Sequence, residues 1–214
     1  MLFSVLLVIN SLPCIFGAAV VPPWFRWLGG ALPSCKLKGV KMPNQTSAFP
    51  KTSQKSDPEA VMLGAGVQNY TCTNGKYTSM GAVATLFDIS CIIRDQNSRS
   101  LSSFAKGLVS GPVLESSWVQ GFAAGHHYFV NINGALLPRF DLSKSKTVRN
   151  DEYIIARKLA NIPSPDGASN VDWLQLGGTG TGSYANFVYR VKTAGGQPPS
   201  SVSEKPVFQT CSDR

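Results

Sequence analysis

Histidine is nearly absent from this chain, and its scarcity limits the chemistry available. The 214 residues include two histidines, His126 and His127, which are adjacent. Neighbouring side chains on a strand point to opposite faces, so the two imidazoles could not easily bind one metal ion or one substrate atom. We predict that one is buried and hydrogen-bonded while the other faces solvent. Because both histidines lie in one dipeptide, the sequence does not favour a Ser-His-Asp or Cys-His catalytic set.

Other catalytic and cofactor-binding motifs are missing as well. The sequence has no Cys-x-x-Cys pair, no His-Glu-x-x-His and no Gly-x-Ser-x-Gly. The glycine-rich segment 177–182 precedes a β-rich segment rather than a helix that could receive a pyrophosphate, so we interpret it as a hairpin loop. By elimination alone, the candidates for paired-carboxylate chemistry are Asp88, Asp141 and Asp172, which lie near predicted strand ends. We therefore expect neither metal nor cofactor, and no enzyme.

Long apolar runs are also scarce. Residues 2–9 form an apolar run that is too short to span ~30 Å of hydrocarbon, and Pro13 follows it closely. Small residues at Gly17 and Ala19 then complete a pattern typical of a secretory signal peptide, although no Lys or Arg precedes the run. We predict that residues 1–19 are a signal peptide, that the protein is secreted, and that its mature form has no membrane span.

Acidic residues are few, with 12 against 20 basic ones and a net charge of +8. Six basic residues precede the first acid, Asp57: Arg26, Lys36, Lys38, Lys41, Lys51 and Lys55. Such a surface could bind an anionic polysaccharide, although a solvated surface that only aids solubility is the simpler interpretation. No basic–aromatic motif for nucleic acid is present.

Four cysteines remain once Cys14 leaves with the signal peptide. They are Cys35, Cys72, Cys91 and Cys211. An even number in a secreted chain predicts two disulfides with three possible pairings, against the alternative of free buried thiols. Sequons at Asn44 and Asn69 are candidate glycosylation sites.

The prolines divide the chain into two parts. Residues 20–58 contain six prolines, which break helices and central strands alike, so we predict a loosely structured arm. From residue 59 onward, strand signals dominate, with Asn74-Gly75 and Asn133-Gly134 marking hairpins and residues 177–182 marking a third. Residues 152–162 supply another strand, while residues 101–108 could form a short helix.

These features predict a mainly all-β fold with little helix. Residues 59–214 are expected to form one antiparallel β-sandwich or barrel, preceded by the proline-rich arm. Trp173 is predicted to be buried, because both faces of its strand carry apolar residues.

Several segments together resemble a known family. In chain order they are GVQNYTC, GAVATLFDISC, GHHYFVN, RFDLS, VDWLQL and VYRVKTAGGQPP. They are similar to a family of secreted, mainly fungal proteins of unknown function whose members are often mislabelled malate dehydrogenase. The resemblance covers roughly residues 61–200 and implies a secreted, disulfide-linked β-fold with no established catalytic residues.

The chain departs from that family pattern at its end. The resemblance implies a cysteine after the Gly-Gly-x-Pro-Pro segment and an aromatic closing strand, but Pro198-Pro199-Ser200-Ser201 has no cysteine and the chain ends at Arg214. Cys211 is a candidate replacement, which leaves any pairing implied by the family open. We favour Cys35 with Cys91 and Cys72 with Cys211.

Export, basic charge and the lack of a catalytic set lead to a functional hypothesis. The chain is interpreted as a non-catalytic fungal effector that binds a host extracellular protein, with a papain-like cysteine protease as first candidate, in the apoplast if the host is a plant. Rigid loops at one end of a β-scaffold would make the contact; the alternative is that both loops are plain solvated turns. The assigned residues are Gly178, Thr179, Gly180, Thr181, Gln197, Pro198 and Pro199. A cell-wall or polysaccharide-binding protein is the alternative, and an uncharacterised secreted enzyme the third.

Overall fold

The computed structural model describes eight segments of the chain. They are residues 2–9, 37–38, 40–52, 57–74, 76–90, 117–145, 152–182 and 184–198, the first as backbone. Several predictions fall outside them: Cys35, Cys91 and Cys211, the loop residue Pro199, and the segment 101–108.

The chain forms a β-barrel. Its strands are β1 (Leu2–Ile9), β2 (Pro58–Thr73), β3 (Lys76–Asp88), β4 (Gly125–Ile132), β5 (Ala135–Asp141), β6 (Tyr153–Ile162), β7 (Trp173–Gly178) and β8 (Phe187–Ala194). From β2 to β8 each strand pairs antiparallel with the next, giving a curled sheet of seven strands. Strand β1 lies between β2 and β8, parallel to both, and closes the barrel.

Helix contributes little to the described structure. There is one turn of α-helix, α1 (Ser117–Gln120), and one 3-10 turn at Asn44–Ala48. Neither is long and apolar enough to cross a membrane. The predicted mainly-β, antiparallel class is confirmed, and the barrel is the alternative that forms.

The hairpins form where the Asn-Gly pairs predicted them. Asn74 and Asn133 both have φ of 51°, and Gly134 has φ of 83°, values that a tight two-residue turn requires and that Asn and Gly tolerate. The third hairpin joins β7 and β8, and the strand predicted for residues 152–162 is β6. We call the end of the barrel that carries the turns at Asn74 and Asn133 the upper end.

Two apolar clusters lie on the two faces of the sheet. The inner cluster fills the lower part of the barrel and includes Met62, Leu86, Phe140, Ile154 and Val188. The outer cluster lies on the outside of β2, β7 and β8 and includes Leu63, Phe87, Trp173, Tyr189 and Val191. Trp173 is fully buried in it, as predicted.

The described part of the N-terminal arm is not loose. Leu37 and Phe49 are buried in the outer cluster, and the Phe49 ring lies 6.0 Å from that of Tyr189. The side-chain amide of Gln175 donates a hydrogen bond to the carbonyl oxygen of Pro50 (3.1 Å). The expectation of a loose arm is wrong here, because burying these apolar side chains covers the outer faces of β7 and β8.

Candidate functional site

The upper part of the barrel encloses an open cavity of about 420 Å³. Strands β3 and β4 pair only where residues 84–86 meet residues 125–127, so the two strands separate above that point. The inner cluster closes the cavity from below. A cavity of this size lies in the range that holds small organic molecules.

Most of the surface area of the cavity wall is apolar. Its apolar lining includes Ala82, Phe129, Leu136, Leu137, Pro138, Phe140, Val171, Leu174 and Leu176. Its polar lining includes Gln68, Tyr70, Ser79, His127, Asn161, Asp172 and Gln197, together with the cations Arg157, Lys158 and Arg190. Three basic side chains against one acid give the lining a net positive charge.

Arg190 is the deepest of these cations. It lies two residues after Val188 on β8, and Val188 belongs to the inner cluster. Its Nε and one terminal nitrogen both donate hydrogen bonds to the backbone carbonyl oxygen of Asp172, at 3.0 and 2.8 Å. Burial lowers the pKa of Arg190 to about 10, with Tyr70 and Asp172 acting in the opposite direction, so the guanidinium stays protonated at neutral pH.

No carboxylate of the described residues forms an ion pair with Arg190. Ion pairs among the described residues join Arg139 to Asp141 and Lys192 to Asp166 instead. Asp172 lines the same cavity, but its carboxylate accepts a hydrogen bond of 2.6 Å from the Asn161 amide. A cation held away from bulk water is costly unless it is paired, so the cavity is electrostatically suited to an anion.

His127 forms part of an aromatic wall. Its ring stacks on Phe140 with centroids 4.4 Å apart and meets the edge of Phe129 at 5.4 Å. Its Nδ1–H donates to the Arg139 carbonyl oxygen (3.0 Å), which leaves Nε2 without a proton in the neutral ring. Burial lowers the pKa of His127 to about 4, so the ring is neutral at physiological pH.

The upper rim is held by side-chain hydrogen bonds. The Tyr70 hydroxyl donates to the carbonyl oxygen of Gly196 (2.6 Å), and burial is the main reason why the pKa of Tyr70 rises to about 12. The Gln68 amide donates to the Ser79 hydroxyl (2.8 Å). Beside them, the Gln197 amide donates to the Asn170 carbonyl oxygen (2.9 Å). The rim is therefore positioned before any ligand arrives.

The predicted histidine arrangement is confirmed. His127 is buried and hydrogen-bonded, while His126 is half-buried, with Nε2 lying 3.3 Å from the Lys144 Nζ. The two adjacent rings point to opposite faces of β4. Among the described residues, no group of three or more His, Cys, Asp and Glu comes together as a metal site.

The three candidate aspartates do not form one site. Asp88 and Asp141 end β3 and β5 at the lower end, whereas Asp172 precedes β7 at the upper end. Asp141 is bound to Arg139 (3.3 Å), and Asp88 accepts a hydrogen bond from the Ser90 backbone N–H (2.9 Å). Of the three, only Asp172 lines the cavity.

The two predicted contact loops are not brought together. Residues 178–181 precede β8, whereas the loop of Gln197 and Pro198 follows it. The eight residues of β8, about 26 Å of extended chain, therefore separate the two loops. The expectation that they lie at one end of the scaffold is wrong, because the two ends of one strand cannot share an end of the barrel. Gly178, Gly180, Thr181 and Gln197 are exposed, and Thr179 and Pro198 are partly buried.

The remaining predicted sites lie on the strands and the arm. Asn44 and Asn69 are exposed, and whether they carry glycans stays a prediction. Cys72 is buried and disulfide-bonded, and its partner lies outside the described residues. Which of the three pairings forms stays a prediction.

Comparison with known proteins places the barrel in a family. The model of the family described as protein of unknown function (DUF3455) matches residues 52–211, well over half of the chain. The chain belongs to this family. DUF3455 carries no assigned activity, and no curated protein and no solved structure matches the chain. The matched region contains all the strands except β1.

The sequence analysis missed Arg190, the cation at the centre of this DUF3455 barrel. A signal was present, because Arg190 stands between Tyr189 and Val191 in a strand whose other residues are mostly apolar. A charged residue in a strand that is buried on both faces needs a partner or a ligand. Sequence alone did not show which face of β8 points into the barrel.

Proposed function

We propose that this protein is a non-catalytic binding protein that holds a small organic anion with an apolar body in its barrel cavity. The observation that carries the proposal is Arg190, a cation inside the barrel with no ion-pair partner among the described residues. A carboxylate or sulfonate group would supply that partner. The body of the ligand would lie against the wall formed by His127, Phe129 and Phe140.

The geometry favours a ligand whose charge is at one end. Arg190 lies toward the floor of the cavity, beside the inner cluster, and the neutral His127 ring does not compete with it for an anion. A hydrogen bond to a charged group contributes roughly 1.5–3 kcal/mol, and burial of an aromatic body adds to it. The carbonyl oxygen of Asp172 keeps the guanidinium in place before binding.

A pair of matched ligands tests the proposal. Isothermal titration calorimetry with 2-naphthoate and with the neutral 2-naphthylmethanol compares an anion with an alcohol of similar shape. We expect the carboxylate to bind at least about tenfold more tightly, the ratio that roughly 1.4 kcal/mol produces. Arg190→Met, which keeps an apolar stem of similar length, should remove this preference.

Arg157→Met is the matched control, since Arg157 also lines the cavity but is exposed. It should leave most of the preference for the carboxylate intact. Circular dichroism and thermal melting establish that both variants are folded. Equal affinity for the two ligands, or no binding of either to the folded protein, would overturn the proposal.

A second candidate function concerns a protein partner, and we propose it on the rigidity of the segment 178–182. The Thr179 N–H donates to the Ile155 carbonyl oxygen (2.9 Å), and the Ile155 N–H donates to that of Thr181 (3.3 Å). A preorganised loop loses little entropy when it docks into a cleft. This supports a secreted effector that blocks a papain-like protease of a host.

An inhibition assay separates this second candidate from its alternative. Purified protein is incubated with papain-like proteases and a fluorogenic substrate, and with chitin and glucan in parallel. Inhibition that is lost in Thr179→Ala/Thr181→Ala supports the effector. Binding to the polysaccharides without inhibition favours the wall-binding alternative, for which the exposed Lys38, Lys41 and Lys51 are the candidate contacts.

A further inference from the structure

Strand β1 departs from the pairing pattern of the rest of the barrel. Every strand from β2 to β8 is antiparallel to its neighbours in the meander, whereas β1 is parallel to both β2 and β8. Leu2 lies opposite Pro58 and Phe187, and Val8 lies opposite Ala65 and Ala194. The position occupied by β1 is thus an eight-residue slot between two strands that run in the same direction.

The residues in this slot are the apolar run of the predicted signal peptide. They also lie outside the region that the family shares, which begins at residue 52. If residues 1–19 are removed, β2 loses its partner over residues 58–66, and β8 loses its partner on one side. Unpaired strand edges present rows of backbone N–H and carbonyl groups that another strand can pair with.

The surroundings of the slot select an uncharged strand. From Ala60 to Ala65 every residue of β2 is buried, so both faces beside the slot are apolar. On β8, Val188 belongs to the inner cluster, and Tyr189 and Val191 belong to the outer cluster. A basic side chain on either face of an inserted strand, or an acidic one anywhere except beside Arg190, which lies opposite Val5, would lose its hydration without gaining a partner.

The chain's own C-terminal segment does not meet this requirement. Each eight-residue window of residues 199–214 contains at least one of Glu204, Lys205, Asp213 and Arg214. Most windows also contain Pro206, which cannot donate a ladder hydrogen bond. The C-terminal segment is therefore not the uncharged strand that fits the slot once the leader is gone.

We propose that the slot between β2 and β8 is a strand-acceptor site, which in the processed protein binds an uncharged, apolar, extended peptide segment of a partner protein, parallel to both strands. Residues 2–9 show the length, direction and chemistry of the segment that fits. Backbone hydrogen bonds on two sides supply affinity, and apolar side chains on both faces supply selectivity. The proposal rests on the predicted removal of the leader and is independent of the cavity ligand.

The test uses the secreted protein, with N-terminal sequencing to show that residues 1–19 are absent. A labelled peptide with the sequence of residues 2–9 and a flexible polylysine tail for solubility is titrated by fluorescence anisotropy. We expect micromolar binding, with slower amide exchange in residues 58–66 and 187–194. The same peptide with alternate backbone amides N-methylated keeps its apolar side chains but loses ladder donors, and should bind at least about tenfold more weakly.

Four results would overturn the proposal. One is retention of Leu2–Ile9 in the secreted chain, which makes β1 a permanent strand. Another is slow amide hydrogen exchange along the edges of β2 and β8 in a peptide-free monomer, which would mean that another part of the same chain fills the slot. The third is a dimer with protected edges, which assigns it to a second copy. The fourth is equal binding of the methylated and unmethylated peptides, or no binding at all.

Discussion

His127 shows how burial of one side chain sets a response to pH. Its folded-state pKa is lowered from 6.5 to about 4, first by desolvation and then by the charge of Arg190, with the hydrogen bond to Arg139 opposing them. Between these two values the unfolded chain takes up a proton at this residue and the folded chain does not. The contribution of His127 to the free energy of unfolding is therefore fully present above pH 6.5 and is lost as the pH falls toward 4.

We predict a loss of about 3 kcal/mol in the free energy of unfolding between pH 6.5 and pH 4, since one pKa unit corresponds to about 1.36 kcal/mol. Urea denaturation across this range measures it. His127→Gln should flatten the slope, whatever its effect on stability at neutral pH. His126→Gln is the matched control and should keep most of the slope, because His126 is only half-buried. An unchanged slope in His127→Gln would contradict the assignment.

At the scale of elements, local chemistry predicted the hairpins well. Asn74 and Asn133 adopt the positive φ that their Asn-Gly pairs indicated, and each turn joins two consecutive antiparallel strands. The arm was harder to predict, because Leu37 and Phe49 bury themselves against residues more than 100 positions away, including Tyr189. The role of Arg190 depended on the curvature of the whole sheet, which no local pattern encodes.

The loop between β7 and β8 allows a prediction about a single element. Gly180 and Gly182 have nearly equal φ values, 83° and 84°, but a methyl group at Gly180 would meet nothing within 4 Å. At Gly182 it would overlap the backbone carbonyl oxygen of Tyr153 on β6. Gly180→Ala should cost about 1 kcal/mol for its left-handed conformation, and Gly182→Ala about 1–3 kcal/mol more for the overlap. Thermal melts of the two variants compare them directly, and equal losses would argue against a loop packed on β6.

At the scale of the whole molecule, the expected export and the even number of cysteines both predict disulfides. A barrel exposed to an oxidising compartment gains stability from cross-links that restrict its unfolded chain, and Cys72 near the upper end of β2 is already disulfide-bonded. We predict that the secreted protein begins near Val20 and has two disulfides, including Cys72 with Cys211.

Thiol titration under denaturing, non-reducing conditions should find no reactive thiol in the secreted protein, and peptide mapping should recover the Cys72–Cys211 pair. Cys72→Ala should lower the free energy of unfolding by about 2–5 kcal/mol. Thr71→Ala, at an exposed neighbouring position on β2, is the matched control and should change it by less than about 0.5 kcal/mol. Four reactive thiols would refute the disulfides altogether. A different pairing would keep the cross-linked barrel but place the C-terminal segment elsewhere, because a bond from Cys211 to Cys72 holds that segment at the upper rim, beside the mouth of the cavity.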